Sequence, residues 1–267
     1  MLRLVAVLLL CLTGLAQAQA PPAPDPGNDR VYRPGLSAIC ALGQRQSAGC
    51  AAIRAREILD AAAPPWSAIG RVNFGGLSQR SHCTGTLVAE DRVLTAAHCL
   101  YNAARKRWLP PESLRFVAGY QRSTGIGVAG VTGYVLDPVH DPDSPVFHGA
   151  VATDWAVLVL DAPLGATVGT LPLAGPEAAG EITLAGYAGL RPHVLSRARA
   201  CPLESARAGG AEILATSCAA MQGDSGAPLL VMTPTGPAIR GVLSAVTTTP
   251  DGPRALAIPI DTLPVTP

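Results

Sequence analysis

Three residues far apart in the chain have the types needed for acyl transfer: Ser225 in "MQGDSGAPLL", His98 in "VLTAAHCL" and Asp154 in "ATDWAVLVL". A serine hydroxyl is a weak nucleophile until a base takes its proton, so a hydrolytic Ser225 requires an imidazole and an orienting carboxylate. His98 follows an apolar strand and two alanines and precedes Cys99, small neighbours and a tether that fix a ring at a strand end. Asp154 opens a run of six apolar residues, where a strand enters the core. An acid there needs a hydrogen-bonded partner, and an imidazole N–H supplies one. Around Ser225, Gly223 and Gly226 tighten the turn and leave its backbone open to whatever sits against it. Each residue alone has a plainer reading: a loop entering a strand, a buried core histidine, a strand-capping aspartate. His140 and His148 lie in "VHDPDSPVFH", whose acids hint at a cation but which reads as a solvated loop, so no metal or other cofactor is expected.

The elements that must position these residues are short apolar runs split by Gly, Pro, Asp and Asn, from "SAIGRVNF" to "RALAIPI". Many short strands with almost no helical periodicity predict an all-β barrel or sandwich, read as two β units with a site at their junction. The first barrel is expected over residues 64–160 and the second over 181–267, joined by the Gly/Pro/Ala-rich connector 161–180. Residues 1–20 have a basic residue, an apolar run too short to span a membrane and Ala-x-Ala at 18–20, the layout of a cleaved export signal. Leu10 is too bulky for Cys11 to be a lipidation site. Residues 21–63 read as a leader or propeptide, with "AAIRAREILDAAAPP" forming a short helix that Pro64 stops.

Without Cys11, six cysteines remain in an exported chain, which reads as a disulfide framework. Fifteen pairings are possible, but the six fall into three close couples, Cys40–Cys50, Cys83–Cys99 and Cys201–Cys218, and no Cys-x-x-Cys metal spacing occurs. A net charge of +1 points to neither nucleic acid nor a membrane surface as partner. The expected product is an exported monomer, secreted or periplasmic, acting on a polypeptide.

The order His98, Asp154, Ser225 is that of chymotrypsin-type enzymes, whereas α/β-hydrolases run Ser, acid, His and subtilisins Asp, His, Ser. Ala227 also breaks the Gly-x-Ser-x-Gly elbow. From residue 64 to about 250 the chain resembles the trypsin/chymotrypsin-like serine peptidases. "CTGTLVAEDRVLTAAHC" is similar to their segment ending at the catalytic histidine, "DWAVLVL" to the strand after the aspartate, and "GDSGAP" to the nucleophile loop. The resemblance implies an all-β fold of two six-stranded-type antiparallel barrels with the active site at their junction, and a serine endopeptidase with His98, Asp154 and Ser225 as its triad and the Gly223 and Ser225 amides as its oxyanion hole. It implies Ser244 as a donor to the buried carboxylate. It also implies Asp224 as the acid that pairs, in a zymogen, with a freed amino group. The placement of Cys218 and Cys201 looks like the bacterial glutamyl-endopeptidase branch.

The family's usual Ile-Val-Gly-Gly terminus is absent, so either activation follows cleavage at Arg54 or Arg56, or Asp224 finds another cation. Counting back from Ser225, the resemblance implies Ala219, Ala220, Ser244 and Val246 as substrate-binding, with Val246, two after Ser244, narrowing the pocket. No acid there argues against basic substrates and favours small aliphatic ones. The competing function is a catalytically inactive, peptidase-like binding module.

Overall fold

A computed structural model describes residues 48–75, 80–175, 177–178, 180–249 and 252–263, all within one compact unit. The expected export signal and Cys40 lie outside the described residues.

Six strands close into an antiparallel barrel: β1 (Ile69–Gly75), β2 (Arg80–Ala89), β3 (Arg92–Thr95), β4 (Leu114–Ala118), β5 (Gly127–Leu136) and β6 (Ala156–Leu160). Around the ring they run β1-β2-β3-β6-β5-β4. Space for the fully buried Phe116 ring comes from missing side chains: a Cβ on Gly70 would lie 2.5 Å from that ring. The apolar run of β6 is buried at four of its five residues, because one core cluster crosses from this barrel into the second half and joins Leu158 to Leu230, Val242 and Ile258. Full burial of one such leucine stabilises by roughly 1.5–3 kcal/mol.

The second half contributes β7 (Ile182–Gly186), β8 (Ser196–Cys201), β9 (Leu203–Ala208), β10 (Ala211–Thr216), β11 (Pro228–Thr233), β12 (Gly236–Thr249) and β13 (Gly252–Pro259). They form an eight-stranded sheet in the order Glu57–Ile58, β8, β7, β11, β12, β13, β10, β9. Only Pro202 separates β8 from β9, yet these two strands lie towards opposite ends of that order, so the sheet must curl until its margins approach. The all-β expectation of two antiparallel barrel-like halves therefore holds. The second half differs from a plain six-stranded barrel in having seven strands of its own and in recruiting Glu57–Ile58 to its edge.

The helix expected to run towards Pro64 is confined to α1 (Ala48–Ala55). Glu57 and Ile58 leave it to pair with Arg197 and Ser196 of β8. Cys50 and Ile53, three apart and so on one helical face, are both fully buried and pack in a cluster with Ala188 and Met221. Leu59 and Ala61 are buried as well, so the stretch before the first barrel strand is part of the packed body.

Candidate active site

The ladder between β3 and β6 sets the first contact. Thr95 pairs with Ala156, so the turn after β3 and the turn before β6 emerge side by side. His98 sits in the first, a 3-10 turn over Ala97–Leu100, and Asp154 closes the second, over Val151–Thr153. The Ala97 amide donates to the Asp154 carbonyl at 3.3 Å and locks the two turns together. Asp154 is fully buried. Its Oδ1 accepts the His98 amide at 2.8 Å, and its Oδ2 accepts His98 Nδ1–H at 2.7 Å and Ser244 Oγ–H, from β12, at 2.5 Å. Since Nδ1 carries the proton in that bond, the lone pair of neutral His98 lies on Nε2.

Ser225 precedes β11 in a loop held by the first barrel. The Thr84 amide of β2 donates to the Ser225 carbonyl at 2.9 Å, and Thr84 Oγ1–H donates to the Gly223 carbonyl at 2.8 Å. Gly226, at φ +78°, lies so close to that barrel that a Cβ would meet Thr95 Oγ1 at 2.2 Å. Gly223 has φ +96°, and a Cβ there would be 2.3 Å from the Tyr187 carbonyl. This conformation suits glycine alone. Among the described residues, neither the Gly223 nor the Ser225 amide has a hydrogen-bond acceptor.

Asp224, between those amides, is fully buried. Its carboxylate forms a bidentate pair with Arg56, Nη1 to Oδ1 and Nη2 to Oδ2, each at 2.9 Å. Oδ2 also accepts the Met221 amide at 3.0 Å. The cation on Asp224 is thus an internal guanidinium, one of the two arginines that the sequence offers as cleavage points. Sequence reasoning could have placed it: Arg56 continues the three-residue spacing of Cys50 and Ile53.

Ser225, Gly223 and His98 line one cavity of about 480 Å³ with the Cys83–Cys99 bridge and His82. Its lining includes the apolar side chains of Val72, Phe74, Leu109 and Leu114. Ala219, Ala220, Ser244 and Val246 are not in its lining. Ala220, Ser244 and Val246 are buried, Ala219 is half-buried, and the Ala219 carbonyl accepts a hydrogen bond from Arg56 Nη2. His82 was singled out by no motif. Its Nε2–H donates to the Tyr187 carbonyl at 2.9 Å, and burial, with the Arg71 charge adding to it, holds its pKa below 6.5.

Two disulfides pair as the close couples predict, Cys83–Cys99 and Cys201–Cys218, with Cα separations of 6.2 and 5.3 Å. Cys50 is disulfide-bonded too. Among the described residues, the one cluster of metal-ligand type is Cys83, His98 and Cys99, and its sulfurs are consumed by their bridge. Most of the loop is exposed, Asp141, Asp143 and His148 included, as its solvated reading expects, but His140 departs from it. Only 6% exposed, it stacks on Phe147 at 4.8 Å and donates from Nε2 to the Thr153 carbonyl at 3.1 Å. Burial lowers its pKa below 6.5.

The family model described as Trypsin matches residues 60–264. No curated protein matches the sequence. Among solved structures, a Glu endopeptidase superposes with a TM-score of 0.60 at 24% identity, over 76% of this chain and 90% of its own. A thermostable serine protease, AL20, from an extremophilic microorganism gives 0.55 at 20% identity, over 72% and 91%. The protease Anisep from Arthrobacter nicotinovorans gives 0.55 at 19%, over 74% and 92%. At these identities the structural likeness shows the fold.

Proposed function

The chain belongs to the trypsin family of serine endopeptidases, acting on polypeptides, and on that premise we propose that Ser225 is the nucleophile, His98 the general base and Asp154 its orienting acid. Ser225 Oγ attacks the peptide carbonyl while His98 Nε2 takes its proton. His98 then gives that proton to the leaving amine, and the acyl-enzyme is hydrolysed by water activated through the same Nε2. Asp154 keeps the proton of neutral His98 on Nδ1 and stabilises the imidazolium without accepting its proton. The Gly223 and Ser225 amides receive the developing oxyanion, each donor of this kind being worth about 3 kcal/mol of barrier.

The observation that carries this reading is the Asp154 cradle, which holds the His98 backbone amide at 2.8 Å and fixes one ring tautomer through Nδ1 at 2.7 Å, at the cavity containing Ser225. A fluorophosphonate should label the purified chain, and Ser225→Ala should abolish labelling. Undiminished labelling of the variant would refute the assignment.

On the acyl side, Ala219, Ala220 and Val246 place no acid behind the cavity that they do not themselves line, which favours small aliphatic P1 residues. The apolar-walled cavity then takes leaving-group side chains. A peptide-library profile dominated by Arg or Lys at P1 would overturn the acyl-side reading. Residues 1–20 serve as the export signal of an exported monomer, and of the expected leader 21–63 the part from α1 onwards stays with the packed body. The barrels span 64–160 and 181–267, with 161–180 crossing between them. Three disulfides, Cys40–Cys50 among them, suit that destination, and among the described residues no helix is long and apolar enough to cross a membrane.

A further inference from the structure

We propose that Arg56 is the built-in cation that holds the oxyanion loop in its working shape, so the chain is competent with the bond after Arg56 intact, and cleavage there disables it. The proposal rests on the Ser225 reading. A carboxylate buried in the turn between two oxyanion donors must be paired, because an unpaired buried charge is expelled or neutralised and takes its loop with it. Asp224 already has that partner. Arg56 meets it as a two-pronged fork, and the side chains are 1% and 0% exposed. A planar guanidinium fixes the direction of both carboxylate oxygens, which a point-like ammonium does not.

The same guanidinium reaches the Ala219 carbonyl, so one side chain braces the turn carrying Gly223 and Ser225 and the floor expected to receive P1. Arg56 is itself held from both sides. Its carbonyl accepts Arg191 Nη1–H at 2.7 Å, α1 precedes it, and Glu57 is in the sheet with Arg197. Cys50 and Ile53 anchor α1 beneath Ala188 and Met221. For a new terminal amine to occupy Asp224, Arg56 would have to withdraw and leave a buried cation without a counter-ion. The peptide bond after Arg56 is also unsuited to a protease, which needs an exposed, extended segment. Arg56 is therefore a positioning residue that acts through Asp224 on the amides beside it.

Two measurements test this. First, the purified secreted chain is reacted with a fluorophosphonate and its intact mass is read. The proposal expects the labelled species to contain α1 and Arg56 in an uninterrupted chain. Label found only on chains that begin after Arg56 overturns it, whereas no label on any species overturns the Ser225 reading instead. Second, kinetics are compared for Arg56→Met, Asp224→Asn and the double variant. Each single change should lower kcat about 10²–10³-fold, the size of a lost oxyanion donor, with KM nearly unchanged. The double variant should be no worse than the poorer single. Millimolar guanidinium should restore part of the activity of Arg56→Ala and none of that of Asp224→Asn. Wild-type kcat in Arg56→Met, or losses that multiply in the double variant, would sink the proposal. If the variants do not fold, the mass of the labelled wild-type chain decides alone.

Discussion

Two aspartates flank the proposed nucleophile and invite comparison. Asp154 and Asp224 are both fully buried, and each accepts at least three hydrogen bonds. Their donors differ in kind. Asp154 is served by a backbone amide, an imidazole and a hydroxyl, groups that in the proposed mechanism let the imidazole gain charge during turnover. Asp224 is served by a guanidinium that never loses its charge, plus one amide. The first cradle is built to respond to a proton and the second to stay fixed. The same side-chain type thus performs two tasks, separated by the partner each is given.

The largest expected effect probes the responsive side. Asp154→Asn preserves shape but removes the acceptor that keeps the proton on Nδ1, so His98 turns to the wrong tautomer. A loss of about 10⁴-fold in kcat is expected with the fold intact. Steady-state kinetics with circular dichroism check it, and a loss under tenfold would erase the distinction between the cradles. The fixed side is probed by geometry. Gly223→Ala forces a side chain into φ +96° and against the Tyr187 carbonyl. Strain of about 1–3 kcal/mol and displacement of one oxyanion donor should together lower kcat at least a hundredfold. Near-wild-type turnover would show that this amide is not aimed at the substrate. Ser244→Ala comes next. It deletes one neutral donor, leaving His98 in place on Asp154, and should cost about 0.5–1.5 kcal/mol, roughly tenfold or less in kcat. A thousandfold loss would make the hydroxyl a full partner of the imidazole.

How far each cradle is legible in the sequence follows from how local its construction is. The Asp154 side is written in short segments: an acid opening an apolar strand, and a histidine after small residues and before a cysteine. The pairing of β3 with β6 then brings them together. The Asp224 side is built from a residue 168 positions away. An arginine in an alanine-rich stretch, with Arg54 two residues before it, reads as a solvated helix face or a cleavage point. What buries it is the docking of α1, and the evidence of docking in the sequence is only the three-residue spacing of Cys50, Ile53 and Arg56. His140 stayed hidden for a similar reason. Its own loop is polar, and the rings that cover it include Trp108, contributed by a ribbon more than thirty residues earlier. The all-β class was readable because each strand carries its apolar run in its own few residues, whereas the recruitment of Glu57–Ile58 depends on where Arg56 is pinned.

The smallest effect sets one histidine behind each aspartate against the other. His82 lies near Asp224 and His140 near Asp154, and burial lowers both pKa values from 6.5 despite the attraction of those acids. A histidine kept neutral in the folded chain but free to protonate when unfolded favours unfolding in acid. Its contribution is present in full above pH 6.5 and is lost as pH falls from 6.5 through the lowered folded value, since the unfolded state then binds the extra proton. The urea midpoint should therefore decline below pH 6.5, with a slope of at most about 1.4 kcal/mol per pH unit for each histidine. His140→Gln keeps a donor for the Thr153 carbonyl but cannot titrate, so it should flatten that decline without moving kcat far, because His140 lies outside the proposed proton path. His82→Gln should flatten it too, but with a change in kcat or KM, since His82 lines the cavity beside Gly223. Equal kinetic effects from the two substitutions would mean that the responsive and fixed sides are coupled more tightly than their separate hydrogen-bond partners imply.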